Sequence, residues 1–320
     1  MWRAAVLLCL ASVAAAHSAP DPMAGERAMD RRLASLTDRL ARAAVARCAD
    51  RQGSTGLVLH TADEYQPAAR VRMAADFRLG DHPGVLALVP GSPAEQAGVR
   101  LDDEVLAADG SVMPVAARGS ASYDTVAAVL DTLDKATADG RVTLSLRGRD
   151  GGERTVSFDA PPACRVRPVL LGDRDAGAST DGVNLKVTTG LLAEVPDDDE
   201  LSAAIAHELA HIVLRHPQAI RAAGGRGGLV SASSAKGARV RRTEEEADRL
   251  SVALLTDAGI DPRAAVTLWR EWGRRSDGLF GDPVHGGWDE RVRTIEAAIA
   301  ALPTPRAAPT LAAKETPSGE

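Results

Sequence analysis

The pattern of apolar positions changes twice along the chain, and its first part predicts a helix. Between residues 22 and 50, apolar residues recur at steps of three and four with Arg and Asp between them; they are Met29, Leu33, Leu36, Leu40 and Ala44. This spacing predicts an amphipathic helix over 22–50, which Gly53 and Gly56 end.

Residues 57–160 show short apolar runs separated by Gly, Pro and Asp. The runs lie at 57–59, 85–89, 142–146 and 155–158. Each is typical of a strand, and Gly148 to Gly152 predicts a hairpin turn between the last two. The spacing of apolar residues from Ser122 to Thr137 predicts one helix among these strands.

From residue 161 onward the pattern is mainly helical. Val183 to Thr188 alternates between apolar and polar residues, which predicts a half-buried strand. Helical spacing then continues from Asp197 to about Leu302, and the Pro-rich segment 303–320 predicts a disordered tail. Together the three patterns predict an α+β protein.

The first residues have the layout of a secretory signal peptide over 1–16. Arg3 precedes an apolar run that ends in Ala14-Ala15-Ala16, and the run is shorter than the roughly 20 residues that a spanning helix needs. The alternative is a buried N-terminal helix. A signal peptide predicts a mature chain that is exported, either periplasmic or secreted.

The cysteines fit an oxidising compartment. Cleavage of a signal peptide would remove Cys9 and leave Cys48 and Cys164. Because exported proteins can keep disulfides, a bond between these two cysteines is one interpretation, and two separate buried thiols are the other.

Length and composition narrow the class of protein. The chain has 320 residues, 45% of them hydrophobic, and a net charge of −6. These values exclude global disorder and fit either two modest domains or one large one. The acidic balance argues against a nucleic-acid binder, and the absence of a long apolar run after residue 16 argues against an integral membrane span.

The strand-rich region contains a motif that resembles a known domain. Gly91 to Val99 reads GSPAEQAGV, Leu101 to Leu106 follows, and Asp109-Gly110 closes the motif. Residues 56–160 resemble a bacterial PDZ domain, although that family usually has Gly-Asp where this chain has Asp102-Asp103. The resemblance implies a carboxylate-binding loop near Phe77 to Gly80 and peptide binding by strand addition beside helix 122–137. The alternative is a small β-rich domain that only packs against its neighbour.

The predicted helix after Asp197 carries the candidate chemistry. His207 and His211 are four residues apart, which puts their imidazoles on one helical face at metal-ligand spacing. Glu208 lies just off that face, where its carboxylate can reach a metal-bound water. Two surface histidines are the plainer interpretation, but the surrounding helix is almost wholly apolar.

A later segment extends the motif into a resemblance. Residues 243–250 read TEEEADRL, and His-Glu-x-x-His followed by Glu-x-x-Ala-Asp resembles the M48 family of zinc metallopeptidases. The resemblance covers about residues 161–302 and implies a zincin-like (gluzincin) fold, with the segment 17–55 packed on it. It also implies one zinc ion per chain, with Glu244 as third ligand and Asp248 as an acid that supports a histidine ligand. Glu245 and Glu246 are expected to face solvent.

The segment from His285 to Arg291 lies where that family often has His-Pro and a following Arg, with Gly286 in place of the Pro. The resemblance implies that His285 or Arg291 stabilises the oxyanion or covers the open metal position. A loop histidine without a role is the alternative for His285.

These observations predict an exported zinc-dependent endopeptidase that cleaves unfolded or extended proteins, with Glu208 activating a zinc-bound water and quality control as the setting. The strand 183–188 is expected to align the substrate by edge pairing. Segment 224–242 is either a mobile loop over the cleft or a plain connector, and its basic residues also suit contact with a membrane surface. The alternative function is a PDZ-mediated, chaperone-like client binder with a latent metal site plugged by His285. A prenyl-protein protease within the membrane is disfavoured, since no spanning run follows residue 16.

Overall fold

The computed structural model describes residues 23–222, 235–275 and 287–303. The helices of this part of the chain are α1 Ala24–Ala43, α2 Pro67–Asp76, α3 Pro93–Gln96, α4 Asp124–Ala136, α5 Thr189–Glu194, α6 Asp198–Val213, α7 His216–Ala222, α8 Ala235–Asp257, α9 Arg263–Arg275 and α10 Trp288–Ala300. The strands are β1 Arg51–Gly53, β2 Leu57–His60, β3 Gly84–Leu88, β4 Glu104–Ala108, β5 Ser111–Val112, β6 Arg141–Arg147, β7 Glu153–Asp159, β8 Pro162–Cys164, β9 Arg167–Leu171, β10 Ala178–Thr180 and β11 Asn184–Thr188. The mixture of helix and sheet agrees with the predicted α+β class.

The middle of the chain forms an antiparallel sheet in the order β2-β3-β4-β6-β7, with β5 paired to β4. The buried side chains of α4 (Val129 and Leu133) lie in one hydrophobic cluster with Val85, Val105 and Leu144 from the sheet. The predicted strands and the predicted helix of this region lie at β2, β3, β6, β7 and α4. The surface helix α2 was not predicted, because none of its residues is buried and it gives no amphipathic signal.

The helical region packs around a second, larger cluster that includes residues of α1, α6, α8, α9 and α10. A three-stranded sheet in the order β10-β11-β9 borders it, with β11 antiparallel to β10 and parallel to β9. The predicted strand 183–188 is therefore the central strand β11, with both edges paired. The expectation that it aligns a substrate by edge pairing is wrong, and β10 is the edge strand that lies against α6.

Helix α1 packs against both regions. Leu33, Leu36 and Leu40 lie in the cluster of the helical region. At the other end, Met23 packs with Phe77 and Leu79 in a third small cluster, and Arg27 donates to the carbonyl of Leu86 at 2.6 Å. Phe77 and Leu79 are thus core residues beside the start of α1, and the carboxylate-binding loop expected near this segment stays a prediction.

A cavity of about 110 Å³ lies where the predicted peptide groove beside β2 and α4 would be. Its walls also include α1 residues such as Thr37 and Asp38, and Asp38 accepts a hydrogen bond from Ser54. The helical region therefore covers this side of the sheet domain.

Ion pairs, a strand pair and a disulfide connect the sheet region to the helical region at the point where the chain passes between them. Arg167 donates to Asp131 at 2.6 Å and to Asp134 at 2.7 Å, and Arg165 contacts the same two carboxylates of α4. Strand β1 pairs with β8. Cys48 and Cys164 form a disulfide with their Cα atoms 5.5 Å apart, which matches the first of the two interpretations of these cysteines.

Some predictions fall outside the described residues. They are the signal peptide 1–16, residues 224–234 of the predicted loop, His285 and the tail from residue 304. Helix α8 begins at Ala235, so residues 235–242 are helical and the predicted loop 224–242 is too long at its C-terminal end. Among the described helices, none combines the length and apolar character needed to cross a bilayer. The domain boundaries stay a prediction.

Candidate metal centre

Helix α6 positions the two motif histidines. Asp197 caps its N-terminus by accepting hydrogen bonds from the backbone N–H groups of Asp199 and Glu200, both at 3.0 Å. Between Leu201 and His211 the helix is buried at every position except Glu208, which is partly exposed. Within this stretch, Glu208, which directly follows His207, is the position that solvent can reach.

Helix α8 brings a carboxylate to the same point. His207 Nε2 lies 3.1 Å from His211 Nε2 and 3.2 Å from Glu244 Oε2, and His211 Nε2 lies 3.6 Å from Glu244 Oε1. One ligand atom from each residue lies within 4.8 Å of the other two. All three side chains are buried, with His207 at 6% exposure and Glu244 at 9%.

These distances fit a metal ion. Ligand atoms about 2.0–2.1 Å from one tetrahedral zinc stand about 3.3–3.4 Å apart, close to the separations of 3.1, 3.2 and 3.6 Å. Two imidazoles and one carboxylate are also a donor set that zinc uses in hydrolytic sites, with the fourth position left open. The residues present therefore suit a catalytic zinc site better than a closed structural one.

The outer side of His207 is held by an acid and a guanidinium. His207 Nδ1 lies 3.0 Å from Asp248 Oδ1. Arg291 binds Asp248 through two nitrogens, at 2.6 and 3.0 Å, and its guanidinium stacks over Trp269 with its central carbon 3.6 Å from the ring centre. Arg291 thus contacts both Asp248 and His207. The roles that the resemblance implied for Asp248 and Arg291 stay predictions. Trp269 was missed because nothing in the local sequence of α9 distinguishes it from an ordinary core aromatic.

The outer side of His211 meets residues that sequence reasoning also missed. His211 Nδ1 lies 3.0 Å from His216 Nδ1, and His216 Nε2 lies 3.1 Å from Glu246 Oε2. Glu246 is exposed, as expected, but it also has a specific partner in His216. Glu245 instead pairs with Arg249 on the surface of α8. His216 directly precedes Pro217, a position that indicates the end of a helix but not a contact with His211.

The charges of the site depend on one another. Burial and Arg291 lower the pKa of His207, but Asp248 and Glu244 outweigh them and raise that pKa to about 9. Burial raises the pKa of Glu244, but the two histidines more than reverse this and hold the pKa well below its usual range. The ligand-like carboxylate is thus ionised at neutral pH. A zinc ion would have to displace the proton of His207.

Most of the predicted site residues lie around one point in the structure. The structure brings together His207, His211 and Glu244, surrounds His207 with Asp248 and Arg291, and leaves Glu208 partly open at the same turn of α6. Glu208 is also close enough for its charge to contribute to the raised pKa of Arg291, which burial alone would lower. His285 lies outside the described residues, and its predicted role stays a prediction.

Comparisons with known proteins agree with this geometry. Residues 176–226 match the sequence family described as peptidase family M48. Over 112 residues the chain is 33% identical to a protein of Arabidopsis thaliana named mitochondrial metalloendopeptidase OMA1, and this match covers 30% of the chain and 23% of that relative. The chain thus spans about a quarter of the length of this curated relative. The matched family segment includes His207 and His211 but ends before Glu244. The chain is thus similar to family M48 over this segment and to a metalloendopeptidase over part of its length, and both findings support a metallopeptidase.

Proposed function

We propose that the protein is a zinc-dependent endopeptidase that hydrolyses peptide bonds of unfolded or extended proteins, with one zinc ion per chain. The observation that carries the proposal is the convergence of His207, His211 and Glu244 on one point, with the partly exposed residue Glu208 directly after His207 on α6. A buried cluster of three such donors beside an accessible base is what metal-assisted hydrolysis requires.

The chain's own residues perform the acid–base work in this proposal. A zinc ion bound to the three ligands supplies a Lewis acid that polarises the scissile carbonyl and lowers the pKa of water. Glu208 accepts a proton from the attacking water and later delivers it to the leaving amine. Asp248 holds His207 through Nδ1, and Arg291 holds Asp248, so that the ligand stays oriented during turnover.

Strand β10 is the element that suits substrate alignment. It pairs with β11 on one side, has no strand partner on its other side among the described residues, and lies against α6. An extended segment can add to such an edge through main-chain hydrogen bonds, whereas most of the backbone of a folded protein is already paired. This favours unfolded or extended protein substrates.

Export and quality control are parts of the same proposal. The Cys48–Cys164 disulfide supports an oxidising compartment, as the signal-like residues 1–16 also do. The PDZ-like sheet region is proposed to take part in substrate selection. However, α1 lines the cavity beside β2 and α4, so a peptide would have to compete with the chain's own residues there.

The experiment uses the mature chain, zinc analysis and digestion of casein with and without a chelator. Glu208→Gln is expected to keep its zinc and to lose about 10²–10⁴-fold in cleavage rate, because the base is gone while the ligands remain. Glu271→Gln, at an exposed position of α9, is the matched control and should cut normally. Chelator-resistant cleavage, or wild-type rates from Glu208→Gln, would contradict the proposal. Zinc binding without any cleavage would favour the client-binding alternative.

A further inference from the structure

The edge of the His211 ring that faces away from Glu244 contacts a polar side chain. Its Nδ1 lies 3.0 Å from Nδ1 of His216, and the other ring nitrogen of His216 lies 3.1 Å from Glu246 Oε2. His216 is buried, while the carboxylate side chain of Glu246 is 51% exposed. A line of three polar groups therefore runs from the ligand cluster to the surface.

The backbone takes an unusual conformation to place His216. Helix α6 ends at Val213, and Arg215 has φ of 57°, in the left-handed region that non-glycine residues seldom enter. Arg215 separates α6 from α7, which begins at His216. The ring of His216 lies against that of His211, five residues earlier, with the ring centres 4.9 Å apart.

The proton positions of this line are determined by its partners. His211 Nε2 faces His207 and Glu244, so the remaining nitrogen, Nδ1, must carry the proton when Nε2 binds a metal. That N–H donates to His216 Nδ1, which must then be an acceptor. The proton of His216 is consequently on Nε2 and donates to the carboxylate of Glu246. Each N–H has one acceptor, and no nitrogen of His216 is left to face the ligand cluster.

We propose that His216 and Glu246 are positioning residues for the metal ligand His211: they fix its tautomer and its ring orientation for a divalent zinc ion. The inference rests on the proposed function, since it concerns the same site. Histidine ligands commonly donate their second N–H to such a partner, and loss of the partner typically weakens metal binding 10–100-fold. On the other side of the site, the carboxylate of Asp248 contacts His207 directly. His211 is instead connected to the carboxylate of Glu246 through the imidazole of His216.

The test measures metal binding rather than turnover. Metal-stripped full-length chains are titrated with zinc in competition with a chromophoric chelator, and the visible spectrum of the cobalt-loaded form is recorded as a report on ligand geometry. His216→Phe keeps the ring volume without the acceptor, and His216→Asn returns an acceptor oxygen near the former Nδ1. Glu246→Ala removes the outer carboxylate, and Glu245→Ala is its neighbour control on the surface of α8.

We expect His216→Phe to bind zinc about 10–100-fold more weakly and to change the cobalt spectrum. His216→Asn should recover a large part of both, which a merely space-filling role would not produce. Glu246→Ala should weaken zinc binding in the same direction, and Glu245→Ala should match the wild type. If His216→Phe fails to fold, the zinc affinity of Glu246→Ala tests the inference alone. The Glu246 side chain is half exposed, so its removal leaves no buried cavity.

Unchanged zinc affinity and cobalt spectrum in folded Glu246→Ala and His216→Phe would overturn the inference. Equal losses in His216→Phe and His216→Asn would also contradict it, because the acceptor would then make no difference. These failures differ from failure of the proposed function itself, which would appear as a wild-type chain that neither binds zinc at these residues nor cleaves casein.

Discussion

At the scale of single residues, the part of the site that lies on one helix could be predicted and the part that depends on distant segments could not. His207, Glu208 and His211 are separated by helical spacing, so their relation is local and visible in the sequence. Glu244 could be assigned only through a family resemblance, since its position beside them depends on the packing of α8 against α6. His216 was missed because the left-handed turn at Arg215 leaves no mark in the apolar pattern.

Glu244 gives a sharp test at this scale because its neighbour is a natural control. Glu244→Ala should lose most of its zinc, since two imidazoles alone hold the ion weakly compared with three ligands. Glu245→Ala removes the same group one position away, where the side chain pairs with Arg249 on the surface. Zinc content after dialysis, measured by atomic absorption, should fall only in Glu244→Ala. Full metal content in that variant would move the third ligand elsewhere.

Glu64 provides a pH-dependent prediction away from the site. Burial raises its pKa to about 7, against hydrogen bonds from Thr61 that lower it. Its folded pKa is therefore above its unfolded value, so the folded state keeps a proton that the unfolded chain releases between about pH 4.5 and 7. This contribution favours folding at acidic pH and is lost as the pH rises through about 7.

Glu64→Gln keeps the acceptor oxygen without the charge. Its free energy of unfolding relative to wild type should accordingly increase from pH 5 to pH 8, as measured by urea denaturation. Glu26→Gln, at an exposed position of α1, should show no such trend. A constant difference between Glu64→Gln and wild type across this range would show that the carboxyl is not protonated in the folded state.

At the scale of elements, amphipathic spacing predicted the helices and strands that bury one face. Helix α1 and strand β6, whose residues alternate between buried and less buried positions, follow this rule. Strand β3 is buried at all five positions and was indicated by its apolar run instead, and α2, which buries none of its residues, was not predicted. The alternation of β11 correctly indicated a half-buried strand. It could not show whether the strand is central or at an edge, because pairing with β9 and β10 is set by distant parts of the chain.

The packing of α1 can be tested through Leu40, which is fully buried in the cluster of the helical region. Leu40→Ala should lower the free energy of unfolding by about 2–5 kcal/mol, because it removes buried surface and leaves a cavity. Leu101→Ala removes the same atoms from a side chain that is 37% exposed and should change stability much less. Urea denaturation followed by circular dichroism measures both. Equal losses in the two variants would mean that α1 is not part of the core.

At the scale of the whole molecule, the two ends of the sheet region lie together and are joined by several contacts. The chain leaves α1, passes through the sheet and returns at β8, where β1 pairs with β8 and the arginines 165 and 167 bind α4. Cys48 and Cys164 are 116 residues apart, and their disulfide closes the whole sheet region into one loop. The two cysteines and the order of the regions could be read from the sequence. The contact between the two ends of the sheet region could not be predicted, because it joins residues that are far apart in the chain.

Closing so long a loop restricts the unfolded chain more than the folded one. By the chain-entropy relation, a disulfide across about 100 residues stabilises by ~4–5 kcal/mol. The double variant Cys48→Ser/Cys164→Ser should therefore unfold at a clearly lower urea concentration than the oxidised wild type, and dithiothreitol should lower the midpoint of the wild type but leave that of the variant unchanged. Because both sulfurs are buried in the cluster that also supports α6 and α8, zinc affinity measured well below the unfolding midpoint should change far less than stability. Equal midpoints for oxidised and reduced wild type would show that the two ends of the sheet region are held together by the β1–β8 pairing and the arginine contacts alone.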